Sequence, residues 1–195
     1  MRKPPLTAWI EIALLGTGLA LLGYCVVQLT EAGIFQFWQS RRLERATRSW
    51  DGRRTAPTAA RWIPRPHEVL GRLDAPRIHL STIVLEGADS HSLRLGAGHI
   101  PGTALPGGAG NVCVAAHRDT FFRKLRHIAP RDEIEVTTPA GRFRYQVTST
   151  EIVLPRAVSV LDAKSAPELT LITCYPFTYI GPSPRRFIVH ARLVG

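Results

Sequence analysis

Three textures of hydrophobic and polar positions follow one another along the chain. From Ile12 to Thr30 the run IALLGTGLALLGYCVVQLT carries no charge over 19 residues. As a helix rising 1.5 Å per residue it reaches about 28 Å, close to the hydrocarbon thickness of a bilayer. Gly16, Gly18 and Gly23 weaken a helix in water but are ordinary in membrane helices. Arg2 and Lys3 precede the run as in a secretory signal, yet the run is long for one and no small-x-small cleavage site follows. Residues 1–30 therefore read as a cytoplasmic tip and a transmembrane signal-anchor helix, with a cleaved signal as the second reading.

Residues 31–49 mix Ile34, Phe35, Phe37 and Trp38 with an arginine-rich continuation. This is the pattern of a helix leaving the headgroup layer, its aromatics at the interface and its arginines near phosphates. Residues 51–67 carry Pro57, Pro64 and Pro66 without periodicity and read as the end of a stalk spanning 31–67. The domain assigned to 68–195 has a third texture, short apolar runs broken by turns every 8–12 residues. Strands are predicted over 77–80, 82–86, 111–117, 133–138, 142–153, 168–174 and 186–193. Pro139-Ala140-Gly141 marks a hairpin in which Phe143, Tyr145 and Val147 alternate with Arg142, Arg144 and Gln146. Helical stretches are brief: Ser90–Leu95, capped by Asp89, and Asp119–His127. With no βαβ alternation and no glycine phosphate loop, the expectation is all-β, a closed barrel with short inserted helices behind an N-terminal transmembrane helix.

Charge changes this picture little. Lys and Arg number 25 against 15 Asp and Glu, a formal net charge of +10. Residues 1–72 hold a net of +6 and residues 73–195 only +4. The excess lies beside the apolar run and forms no basic stripe through the domain, so nucleic acid is not the expected partner. Cys25, Cys113 and Cys174 cannot all pair and lack CxxC spacing. That excludes a disulfide scaffold, leaves a Cys113–Cys174 bridge open on counting alone, and makes a single reactive thiol the more interesting alternative.

The C-terminal hairpin carries the candidate chemistry. In ELTLITC, Thr170, Ile172 and Cys174 share one face; in RFIVHARL, Arg186, Ile188 and His190 do. Antiparallel pairing puts Cys174 and Arg186 at the same rim, and Tyr175-Pro176-Phe177 turns the chain away just after the cysteine. A catalytic thiol needs a cation or a base beside it. His117, at the end of NVCVAAH, is a strand-end histidine to match a strand-end cysteine.

LTLITC resembles the TLxTC box of sortases, the membrane-anchored cysteine transpeptidases of bacterial cell envelopes. RFIV is similar to the strand carrying the sortase arginine, and AAH stands where that family has its histidine. GHIPGTALPGGAGNVCVAAHRDTFF and CYPF resemble class D sortases in particular. The match spans roughly residues 70–195 in the order His, Cys, Arg. The resemblance implies a sortase-like barrel of about eight strands, with Cys174 as nucleophile, His117 as acid/base partner and Arg186 as electrophilic stabiliser. It also implies cleavage of an LPxTG- or LPxTA-like signal after Thr, through a thioacyl-enzyme resolved by an amine. The implied partners are proteins bearing a C-terminal sorting signal, an envelope amine acceptor (a peptidoglycan stem peptide or a pilin Lys), and the bilayer. Thr173, Ala116, Tyr175 and His99 are the candidate substrate-binding residues, Ala116 standing where the family usually has Gly. Neither cofactor nor metal is implied.

Two other readings compete: a thiol peptidase that only hydrolyses, and an envelope-binding β domain with an inert Cys174. Arg185 is the second choice for the arginine. Asp132, Glu133 and Glu135 read as a solvated face before a calcium site. Counting positive charges sets Arg2 and Lys3 against Arg41, Arg42, Arg45 and Arg48 and points the C-terminal side inward. The resemblance implies the opposite, a single-pass protein of the cytoplasmic membrane with residues 50–195 outside.

Overall fold

A computed structural model describes residues 6–47 and 63–195. The Arg2–Lys3 tip and the 51–62 part of the stalk lie outside the described residues.

The apolar run and the arginine-rich segment form one helix, α1 (Leu6–Thr47), with no break at residue 30. Its 42 residues make a rod of about 63 Å. It is long and apolar enough to cross a membrane. Two hydroxyls inside the run bond back to the helix itself: Thr17 Oγ1 donates to Ala13 O (2.8 Å) and Thr30 Oγ1 to Val26 O (2.7 Å).

Eight strands follow: β1 (Val69–Ala75), β2 (Leu80–Glu86), β3 (Ala97–His99), β4 (Asn111–Ala115), β5 (Glu133–Thr137), β6 (Arg142–Val153), β7 (Glu168–Tyr175) and β8 (Arg185–Leu193). They close in the order β1-β2-β3-β4-β7-β8-β6-β5, which leaves no open sheet edge. Leu70, Leu73, Ile134, Val136, Tyr145, Leu169, Leu171 and Val189 form its core. The Phe143/Tyr145/Val147 alternation puts those three inside, as the sequence pattern predicts.

The segment 77–80 is not one strand. Pro76–Ile78 is a 3-10 turn, and His79 at φ 51° reverses the chain before β2 begins at Leu80. β1 and the three-residue β3 carry too little alternation to be read from sequence. β3 is held by backbone approach, since a Cβ at Gly98 would come within 2.3 Å of Gly87 O. β2 and β3 run parallel, joined through α2 (Ser90–Leu95), a local βαβ that the pattern does not predict. Asp89 caps α2, accepting from His91 N (2.8 Å) and Ser92 N (3.2 Å). The stretch 119–127 is helical only as a 3-10 segment, Arg123–His127.

Candidate active site

Strand alternation sends Leu169, Leu171 and Thr173 into the barrel and Thr170, Ile172 and Cys174 to the outer wall. The β7–β8 register pairs Cys174 with Arg186, Ile172 with Ile188 and Thr170 with His190. Thiol and guanidinium therefore stand on adjacent strands at the same level and on the same face. Cys174 and Arg186 are both half-buried.

β4 lies on the other side of β7 and runs parallel to it, Ala115 beside Ile172. The pairing continues past the strand: Ala116 N donates to Ile172 O (3.2 Å), and Thr173 Oγ1 donates to Ala116 O (2.8 Å). His117 follows two residues beyond Ala115, past the end of β4, and is exposed to solvent. Thiol and guanidinium thus stand side by side on β7 and β8, and the imidazole follows the end of β4, the strand on the other flank of β7.

The loops at this rim are tied together. Arg118 Nη2 donates to Tyr179 O (2.5 Å) and Gly181 O (3.3 Å), and its guanidinium lies 5.9 Å from the Tyr179 ring. That links the segment after His117 to the loop between Cys174 and Arg186. Ser183 Oγ donates to Tyr175 O (2.5 Å), closing the same loop at its base. Arg186 Nη1 donates to Arg185 O (3.1 Å) and Ser183 O (3.3 Å). Among the described residues its Nε and Nη2 have no partner, and they keep donors for an incoming oxygen.

A groove of about 130 Å³ leads to Arg186. Ile172 and Ile188 form its floor, Ile100 one wall, and the segment from Val153 to Leu161 the other. Asn111 holds that second wall: its Nδ2 donates to Val160 O (2.9 Å) and Asp162 O (3.3 Å), while its Oδ1 accepts from Thr170 Oγ1 (2.7 Å). An apolar channel ending at a fixed cation beside a thiol suits an extended peptide with small apolar side chains and a carbonyl to be polarised.

None of the four candidate substrate-binding residues lines this groove. Thr173 faces inward with its hydroxyl committed to Ala116 O, and Ala116 is buried beneath His117. Tyr175 stacks on Phe187 (6.4 Å between centroids) and meets Phe177 edge-on (6.0 Å), a cluster on the inner side of β7. His99 is 1% exposed; its Nδ1 lies 2.7 Å from Glu86 Oε2 and its Nε2 2.9 Å from Ala104 O. With both ring nitrogens engaged, His99 braces the β3–β4 loop and does not line the cleft. The groove residues escape sequence reading because the 153–161 segment has no periodicity; only Ile172 and Ile188, two positions from Cys174 and Arg186, were signalled by alternation.

Arg185 is paired with Tyr175, on the opposite face from Arg186. All three cysteines are free. Cys113 is fully buried, and burial pushes its thiol up to about 11, the environment of an inert packing residue. Asp132 is engaged by Arg77 and by Ala129 N (2.7 Å). Among the described residues no group of three or more His, Cys, Asp or Glu is placed to hold a metal.

A half-buried thiol opposite a guanidinium on the wall of a closed eight-stranded barrel, with an exposed histidine just past the neighbouring strand, is an arrangement suited to cysteine-dependent acyl transfer. Comparison with known proteins agrees. The family model described as "Sortase domain" matches residues 73–194, and the chain belongs to the sortase family of cysteine transpeptidases. It is 31% identical over 140 residues to Sortase D of Bacillus subtilis (strain 168), a match covering 71% of each chain. A sortase D5 transpeptidase of Clostridium perfringens superposes with a TM-score of 0.62 at 28% identity, over 68% of this chain and 83% of that one. Sortase C-1 of Actinomyces oris gives 0.61 at 29% identity, over 66% and 75%. The strongest of these likenesses are thus to class D.

Proposed function

We propose that this sortase cleaves an LPxTG- or LPxTA-like sorting signal after Thr and transfers the new acyl end to an amine, with Cys174, His117 and Arg186 as the catalytic residues. The observation that supports this reading is the register that pairs Cys174 with Arg186, with His117 just past the end of the neighbouring strand β4.

The Sγ of the Cys174 thiolate attacks the Thr carbonyl carbon, and the carbonyl oxygen takes up the negative charge. Arg186 cannot lose its proton, so its unpartnered N–H groups stabilise that oxygen throughout. As the C–N bond breaks, protonated His117 gives its proton to the departing amine, leaving a thioester on Cys174. An acceptor amine then attacks the same carbon, His117 takes one of its protons, and Cys174 departs as thiolate. One amide is exchanged for another, with no net oxidation or reduction. The groove from Ile100 to Arg186 suits the Leu-Pro end of such a signal, and Thr173, Ala116 and Tyr175 act behind it as supports.

The substrates in this reading are proteins with C-terminal sorting signals, and the acceptor is an envelope amine, either a peptidoglycan stem peptide or a pilin Lys. The protein spans the cytoplasmic membrane once through α1, with the barrel on the extracytoplasmic side where such substrates are met. The positive-inside count opposes that orientation. A reporter at the C-terminus that is active only in the cytoplasm overturns it.

The test of the chemistry uses the full chain in detergent with LPxTG and LPxTA peptides, with and without triglycine or a diaminopimelate peptide. Mass spectrometry should find an acyl adduct on Cys174 that amine converts to a new amide, and Cys174→Ala should give neither. Resolution by water alone, with amine making no difference, marks a hydrolase. No adduct and no alkylation of Cys174 at neutral pH leaves only a binding domain.

A further inference from the structure

The C-terminal part of α1 lies along the barrel. Ala32, Phe35, Gln36, Gln39, Ser40, Leu43 and Thr47 are covered to differing degrees, recurring at three- and four-residue spacing along one helix face. Phe35 packs on Ile83, Leu85 and Leu95, and Leu43 is 6% exposed. Gln36 makes the most specific contact: its Oε1 accepts from Ile83 N (2.8 Å) and its Nε2 donates to Leu95 O (2.7 Å). β3 pairs with β2 only from Val84 onward, and Leu95 ends α2. Both backbone groups would lack a partner at that point in the fold, and Gln36 supplies both. A turn and more further on, Glu44 meets Arg72 Nη1 at 2.9 Å.

This docking begins close to the apolar run. If the hydrocarbon ends at Thr30, Gln36 is about 9 Å beyond it, and a headgroup layer occupies roughly 5–8 Å on each side of the bilayer. Contacts along α1 also have a direction. Glu44 meets β1, whereas Phe35 and Gln36, nearer the lipid, meet β2 and α2. The α2 side of the barrel is therefore the membrane-proximal side, and Arg94 is exposed there. On the undocked face of α1 at the same height stand Ile34 (57% exposed), Phe37 (55%) and Trp38 (63%). Arg41 reaches back to lie 4.8 Å above the Phe37 ring, because helical side chains lean toward the N-terminus and so toward the bilayer. Aromatics at the interface and cations over phosphates are what a lipid surface accepts.

We propose that α1 holds the barrel flush against the bilayer, with α2 and the Phe37–Trp38–Arg41 face of the helix seated among anionic lipid headgroups. This rests on α1 being the membrane span of the proposed function. The helix, and not the segment after Thr47, then sets the height of the barrel, since the chain is already docked before that segment begins. β7 and β8 are the strands farthest round the closed barrel from β1 and β2. Cys174 consequently faces away from its own anchor, and its reach is fixed by the width of the barrel.

The experiment uses the full chain in vesicles of phosphatidylcholine and phosphatidylglycerol, with Cys25, Cys113 and Cys174 replaced by Ala. Single spin labels are placed through Arg94→Cys, Arg192→Cys and Leu19→Cys, and their collisions with oxygen and with an aqueous nickel chelate are compared. The Arg94 label should be shielded from nickel several-fold relative to the Arg192 label on β8. Gln36→Ala combined with Leu43→Ala should release that shielding, while ten Gly-Ser residues inserted after Pro57 should leave it unchanged. A lipid-embedded Leu19 label with equal nickel access at 94 and 192 overturns the proposal alone. An insertion that abolishes the shielding also overturns it. A nickel-accessible Leu19 label overturns the span and the proposal with it.

Discussion

Cys174 stands directly opposite Arg186 across the β7–β8 pair, both on the outer wall of the barrel. In the proposed mechanism the flat guanidinium reaches the carbonyl oxygen of a peptide whose carbonyl carbon meets the sulfur. Lysine in its place keeps the charge but loses the fork that binds one oxygen from two nitrogens. Arg186→Lys should lower kcat/KM by about 10²–10³-fold, the usual effect of removing an oxyanion donor. Acyl-enzyme formation measured in a single turnover is the readout. The thermal midpoint should move little, because Arg186 bonds only to the carbonyls of Ser183 and Arg185 in its own loop.

Asn111 is expected to act on the same chemistry from a distance. It is buried, and its carboxamide ties the groove wall at Val160 and Asp162 to Thr170 on β7. Asn111→Ala leaves two carbonyls and a hydroxyl unpaired, a loss of about 1–3 kcal/mol of stability. Its functional signature should be a KM for the peptide raised about tenfold or more with a smaller change in kcat, because the substrate channel loosens while the reacting groups stay in place. Asn111→Asp should be no better, since a carboxylate cannot donate to either carbonyl. A variant that lowers kcat and leaves KM alone would show that Asn111 serves the thiol and not the groove.

The long strands were legible because their cores alternate. Phe143, Tyr145 and Val147, and Leu169 and Leu171, announce β6 and β7, and the same periodicity places Cys174 and Arg186 on one face. What was illegible has physical causes. β3 is Ala97-Gly98-His99, three residues with a glycine at the centre where Gly87 O crowds the chain, so no apolar alternation is written there. Pro76 and the left-handed His79 turn an apparently strand-like stretch into a reversal. The groove wall is irregular chain held by one asparagine, and His99 looked like a cleft residue because its partner Glu86 is 13 positions away. The helix-to-barrel docking was hidden for a related reason. The stripe through Gln36 and Leu43 overlaps an aromatic-rich segment whose interface signal reads first.

Asp132 gives the barrel an acid-sensitive brace. Arg77 forms an ion pair with it, and a side-chain hydrogen bond from that guanidinium is the main cause that holds the carboxyl below its ordinary value of 3.8, helped by Ala129 N. A depressed carboxyl contributes stability that is fully present above its unfolded value and is lost as pH falls through its folded value. Asp132→Asn should therefore cost about 1–2 kcal/mol at neutral pH. The gap between variant and wild type should narrow only below pH 3.8. Denaturant melts of both proteins from pH 7 to pH 2.5 are the check; a gap that already shrinks between pH 7 and 5 would assign the effect to another group.

Cys113 and Cys174 lie on neighbouring strands, and their surroundings predict opposite reactivity. Burial pushes the Cys113 thiol up to about 11, so on the order of one molecule in a few thousand carries its thiolate at pH 7.5. That sulfur also has no surface exposed to a reagent. Cys174 is half-buried at the rim opposite Arg186. Iodoacetamide at pH 7.5 should modify Cys174 in the native full-length protein within minutes and leave Cys113 untouched for hours. In denaturant the two should react at similar rates. Peptide mapping after timed quenching separates them. Rapid native labelling of Cys113 would mean that the packing around β4 opens on that timescale, and would overturn its assignment as an inert buried residue.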